Sequence, residues 1–65
     1  MKLNRTIIYP KDIQRITGKS ERTGRRILDR IRELKGKDKH QLITVSEFAN
    51  YTGIDLETVQ DYITD

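Results

Sequence analysis

Two stretches of the chain read alike when offset by thirty-five residues: DIQRITGKSERTGRRIL, from Asp12 to Leu28, and EFANYTGIDLETVQDYI, from Glu47 to Ile63. This self-similarity constrains the fold strongly, because each copy must be one supersecondary unit with an apolar face that its neighbour helps to cover. Acid matches acid (Asp12, Glu47), apolar matches apolar (Ile13 with Phe48, Ile16 with Tyr51, Leu28 with Ile63), Thr17-Gly18 matches Thr52-Gly53, and Thr23 matches Thr58. Two copies of one unit are implied.

Each copy carries start and stop signals for two short helices. In the first, Pro10 suits an opening helical position, Ile13 and Ile16 keep helical spacing, and Gly18 tolerates the positive φ at which a helix stops. Ser20 reads as the N-cap of a second helix, whose Ile27, Leu28, Ile31 and Leu34 form one apolar stripe and which ends near Gly36. In the second copy Thr44-Val45-Ser46-Glu47 has the form of a capping box, Gly53 repeats the stop, and Asp55 repeats the cap ahead of Leu56, Val59, Tyr62 and Ile63. The expectation is an all-α, compact four-helix domain spanning residues 1–65. Unit one lies at 10–35, a charged loop at 36–41 and unit two at 44–64. The short apolar stretches ahead of the units, near 7–9 and 42–44, either pair as two brief strands or fold over the core. Phe48, Tyr51 and Tyr62, at helical spacing, are expected to be core residues.

The chain has 65 residues and no cysteine. A domain of this size buries only about 60% of the surface it exposes when unfolded, so its stability is modest and rests on aliphatic burial without disulfide staples. The first residues lack the apolar core of a signal peptide, and apolar runs elsewhere are far below the ~20 residues of a membrane span. A soluble, cytoplasmic protein is expected. His40 is the only imidazole and sits in a charged stretch, so no metal site and no His-based catalytic constellation is expected. The glycines are separated by helical segments and make no phosphate loop. The chain is therefore read as a non-enzyme with no cofactor, no small-molecule ligand and no membrane contact.

Charge is divided along the chain. All thirteen Lys and Arg lie between Lys2 and Lys39 with five acids among them, a balance of +8; from His40 onward there are five acids and no Lys or Arg, a balance of −5. One face is thus expected to meet a polyanion and the other to avoid it.

From Asp12 to Leu28 the order is acid, apolar, two residues, apolar, Thr, Gly, any residue, Ser, two residues, Thr, two residues, Arg, any residue, Leu. This pattern resembles the helix-turn-helix of lactose-repressor-family headpieces, and the whole chain resembles short prokaryotic helix-turn-helix proteins. The resemblance implies a helix-turn-helix domain whose second helix, over 21–35, enters the major groove while the first crosses the backbone. Gln14 stands where the family usually keeps Ala, and Gly24 where it usually keeps a branched apolar residue. A larger Gln14 facing a Gly24 without a side chain would make the two departures compensate, the reverse of Ala49 against Val59.

Around the second helix, the face opposite the apolar stripe carries Arg22, Arg25, Arg26, Asp29 and Glu33. Its start is cationic and its end acidic, so the first two turns are expected to insert. Arginine pairs bidentately with guanine O6 and N7. Arg22 and Arg26 are the foremost candidate base contacts, with Lys19, Glu21 and Arg25 at the edge. Candidate backbone contacts are Arg5, Tyr9, Lys11, Ser20 and Thr23, while Lys35, Lys37 and Lys39 add non-specific attraction. Pairs at i,i+3 and i,i+4, such as Arg25 with Asp29, Arg26 with Asp29 and Glu33 with Lys37, would instead make this an ordinary solvated face.

The second unit spells the motif better, yet Asp55, Glu57, Asp61 and Asp65 would be repelled by a phosphate-lined groove. Its place is to close the core or to meet a protein, including a second copy. The expected function is sequence-specific binding of duplex DNA in transcriptional or genome-maintenance regulation. The alternative is a protein-interaction adaptor whose basic and acidic faces pair between chains. Single-stranded nucleic acid suits the chain less well, because the basic segment offers only Tyr9 for stacking.

Overall fold

The computed structural model describes residues 6–63. They form α1 (Pro10–Thr17), α2 (Glu21–Lys35), α3 (Val45–Thr52) and α4 (Leu56–Asp61), joined outside the helices by one isolated antiparallel bridge between Ile7 and Thr44. The fold is all-α, with helical pair following helical pair as the repeat requires.

The repeated letters turn out to be those that start and stop the first helix of each pair. Asp12 Oδ2 accepts from the Tyr9 N–H at 2.9 Å, and Glu47 Oε1 accepts from the Thr44 N–H at 2.9 Å. In both copies an acid three residues into the helix reaches back to a free backbone donor. Thr17 Oγ1 donates to the Ile13 carbonyl at 2.7 Å and accepts from the Lys19 N–H at 3.1 Å. Its counterpart Thr52 donates to the Phe48 carbonyl at 3.0 Å and accepts from the Ile54 N–H at 3.2 Å. Gly18 and Gly53 follow at φ 74° and 78°, and each amide closes on the carbonyl four residues back at 2.8 Å. A side chain at either glycine would strain the left-handed backbone that this stop requires.

The remaining caps follow the expectation in two cases of three. Ser20 Oγ accepts from the Thr23 N–H at 3.2 Å, and Gly36 ends α2 with φ 68°. Asp55 stands at the N-cap of α4, but its side chain makes no capping hydrogen bond.

Ile8, Ile13, Leu28, Ile31, Ile43, Val45, Phe48, Ala49, Val59 and Ile63 form one buried core, with Ile16, Ile27 and Ile54 packed against it. The segments ahead of each unit fold over the core, and in place of two strands they form only one isolated bridge. Ile8 N–H donates to the Ile43 carbonyl at 3.0 Å and Val45 N–H to the Thr6 carbonyl at 2.7 Å, while the side chains of Ile8 and Ile43 enter the core.

Three expectations about burial need correction. Leu34 is 68% exposed rather than part of the buried stripe. α2 has 15 residues and α1 only 8, or about 22 Å against about 12 Å at the helical rise, so α1 cannot cover both ends of its partner. Tyr51 and Tyr62 are exposed, unlike Phe48. They occupy the repeat positions of Ile16 and Ile27, which are themselves only partly covered, and there a phenol keeps its hydroxyl in water. Leu56 lies exposed on the short α4 as well.

Gln14 and Gly24 do not compensate each other either. Gln14 is exposed, and a Cβ at Gly24 would lie 3.0 Å from the Pro10 carbonyl oxygen and 3.5 Å from Ile13 Cβ. The glycine admits the backbone of α1, not the side chain of Gln14.

An ion pair ties the loop to the second unit. Lys37 Nζ donates to Glu47 Oε1 at 2.8 Å and to the Leu42 carbonyl at 2.7 Å. The lysine hydrogen bond, aided by the Thr44 N–H, holds the Glu47 carboxyl below its ordinary pKa. A group so depressed stabilises the fold above its unfolded pKa and ceases to do so as pH falls through the lower, folded value. Stability should therefore decline on the acid side of about pH 4.3, the unperturbed glutamate value. Glu47→Gln should cost about 1 kcal/mol at neutral pH and flatten that decline, as read by urea midpoints at several pH values. An unchanged acid limb in the variant would remove Glu47 from the cause.

Candidate nucleic-acid interface

The outward side of α2 is set by what its inward side buries. Gly24, Leu28 and Ile31 face the core, so residues about half a turn away face water. Arg22, Arg26 and Arg30 are all exposed there at spacings of i, i+4 and i+8. Among the described residues none of these three forms an ion pair or side-chain hydrogen bond.

Among the described residues the other arginines and Lys37 are engaged. Arg25 Nη2 meets Glu21 Oε2 at 3.0 Å, and Arg32 Nη1 meets Asp29 Oδ1 at 3.0 Å while its Nε donates to the Gln41 carbonyl at 2.7 Å. Arg15 approaches the buried Asp12 at 3.6 Å. These partners replace the expected pairings of Arg25 and Arg26 with Asp29 and of Glu33 with Lys37. Asp29, with Arg32 beside it, is also less of a barrier to a phosphate than its position in the sequence suggests.

Lys19 is exposed in the turn between α1 and α2, and Glu21 and Arg25 pair with each other on one flank of α2. Ser20 and Thr23 lie at the start of α2 with their hydroxyl oxygens 3.1 Å apart, so both are committed to the cap. Tyr9 and Lys11 are exposed at the start of α1. Arg5 lies outside the described residues. Lys35 and Lys39 are exposed, whereas Lys37 is held by Glu47 and cannot add free positive charge. Arg30 was missed by sequence reasoning, though the run of arginines every fourth residue from Arg22 was the signal that could have found it.

On the second unit Asp55, Glu57 and Asp61 are exposed and, among the described residues, hold no cation. The described residues contain no group of three His, Asp or Glu suited to a metal ion and no helix long and apolar enough to cross a membrane. No family model, curated protein or solved structure matches the chain.

Proposed function

We propose that this chain binds duplex DNA, with α2 entering the major groove, and that it serves as a transcriptional or genome-maintenance regulator. The observation that carries the reading is the state of Arg22 and Arg26. Both stand outward on the first two turns of α2 with no carboxylate on them, so their guanidinium groups are available to guanine O6 and N7 or to phosphate. Had they been folded onto their own chain's acids, like Arg25, the proposal would have lost its readers. The Gly18 stop, the Ser20 cap and the resemblance of Asp12 to Leu28 to helix-turn-helix proteins support the same assignment. Lys11, Tyr9 and Arg30 are exposed and would meet backbone phosphates, positioning the helix without specifying bases, while Lys19 stays at the edge of the base contacts.

Selection from a random duplex library tests this directly. One sequence should be enriched, its affinity should fall steeply with salt, and Arg22→Ala or Arg26→Ala should each cost about 1–3 kcal/mol while relaxing the preference. Arg30→Ala should lower the salt slope by about one and leave the preference intact. Equal, weak binding to every polyanion would sink the reading.

A further inference from the structure

We infer that the exposed side of α4 docks on the arginine stripe of α2 in a second copy of this chain, so that self-association and DNA compete for one surface. The docking stands apart from the DNA assignment; only the competition rests on it.

The acids of the chain divide into two groups. Asp12, Glu21, Asp29 and Glu47 each hold a cation, whereas Glu33, Asp38, Asp55, Glu57 and Asp61 are exposed and hold none among the described residues; of these, Glu57 and Asp61 share α4 four residues apart. The cations divide likewise: Arg22, Arg26, Arg30 and Lys35 are left over on α2, and Arg26 with Arg30 is the arginine pair nearer to Leu34. No Lys or Arg follows Lys39, so nothing on the second unit can satisfy its own acids.

Spacing makes the two leftovers complementary. Glu57 and Asp61 are four residues apart on one helix and Arg26 and Arg30 four apart on another, each pair separated by a rise of about 6 Å. Laid antiparallel, α4 sets Asp61 against Arg26 and Glu57 against Arg30. The same register brings Leu34, 68% exposed one turn beyond Arg30, within a turn of Leu56, 42% exposed beside Glu57. Leu56 lies about 100° around α4 from Glu57, so this apolar contact flanks the two-rung ionic ladder and does not extend it, using two leucines that the chain's own core leaves exposed.

The contact joins different patches on the two chains. Each copy can therefore offer α4 to one neighbour and α2 to another, and the assemblies should extend beyond a dimer unless the rotation closes a ring. A chain whose α2 is covered cannot present Arg26 to a groove.

Sedimentation of the full chain over a range of concentrations provides the test. At low salt the average mass should rise above that of one chain with concentration. Raising salt from about 0.02 to about 0.3 M shortens the screening length from about 20 Å to about 6 Å and should weaken the association at least tenfold. Glu57→Arg with Asp61→Arg should leave single chains, and so should Arg26→Glu with Arg30→Glu. The fourfold variant carrying both exchanges keeps the net charge and restores complementarity, so it should associate as the parent does. Asp38→Lys, on the loop, should change nothing. A parent that stays monomeric at low salt and high concentration overturns the docking, and so does a fourfold variant that fails to recover while retaining its helical spectrum. For the competition, a selected duplex should return the parent to single chains on DNA. A duplex that binds and leaves the assemblies intact overturns the shared surface, and a chain that binds no duplex counts against the DNA reading alone.

Discussion

Phe48→Ala is expected to lower stability by about 3–5 kcal/mol, the usual cost of emptying a buried phenylalanine site. A domain of this length has about 3–10 kcal/mol in total, so a large fraction of the variant should be unfolded at 37 °C. Phe48 is fully covered and is the largest side chain of the core, at the heart of α3. It belongs to one core to which both units and the segments ahead of them contribute, and an 8-residue helix offers little backbone support once that side chain is gone. Thermal unfolding followed by circular dichroism should show the midpoint down by more than about 15 °C, given about 4–8 °C per kcal/mol in a domain this small. Phe48→Leu, which keeps most of the volume, should recover over half of that loss. A drop under about 5 °C in the alanine variant would mean that α3 presents a different face to the core.

Gly24→Val should be nearly as damaging, for the opposite reason. The Cβ alone would lie 3.0 Å from the Pro10 carbonyl oxygen and 3.3 Å from its Cα, both backbone atoms that can yield only if α1 moves. Two further methyl groups turn a tight contact into overpacking, with an expected cost of about 2–3 kcal/mol and a midpoint lower by about 10 °C or more. Gly24→Ala separates this cause from helix propensity. Alanine gains about 1 kcal/mol as a helix former and loses a similar amount against Pro10, so it should stay within about 1 kcal/mol of the parent. Valine at the corresponding repeat position, Val59, is itself fully buried, so the second pair is built around the side chain that the first cannot accommodate. Equal stability of the glycine and valine forms would show that α1 and α2 are not in close approach.

Much of this architecture is legible in the residues because the repeat conserves between its copies the local chemistry of helix ends. Pro10, Gly18, Ser20, Gly36, Thr44 with Glu47, and Gly53 act through neighbours a few positions away, so reading them needs no knowledge of the tertiary fold. What could not be read was whatever depends on how far one helix covers another. Leu34 follows the apolar spacing faithfully and is exposed only because α1 is short. Lys37 and Glu47, ten residues apart, meet because the chain turns back through the loop, and no periodicity announces that.

The ion pairs of α2 were open to a better reading. Arg25 stands four residues from both Glu21 and Asp29, and a glutamate on the N-terminal side of its cation is the more favourable arrangement. Arg32, three residues beyond Asp29, then takes the other acid. Applying that preference leaves Arg22, Arg26 and Arg30 without partners, as the structure does. The exposure of those side chains was thus within reach of the sequence, whereas the reach of Arg32 to the Gln41 carbonyl was not.

The pairing of residues 6–8 with 43–45 also bears on how the protein is made. A nascent chain grows from its N-terminus, and α1 and α2 are complete long before Ile43 and Val45 exist. Until then the Ile8 amide has no carbonyl to bind and its side chain has only half a pocket. The first unit therefore keeps an open seam until the start of α3 has emerged from the ribosome, and the release of that segment is what lets the seam close.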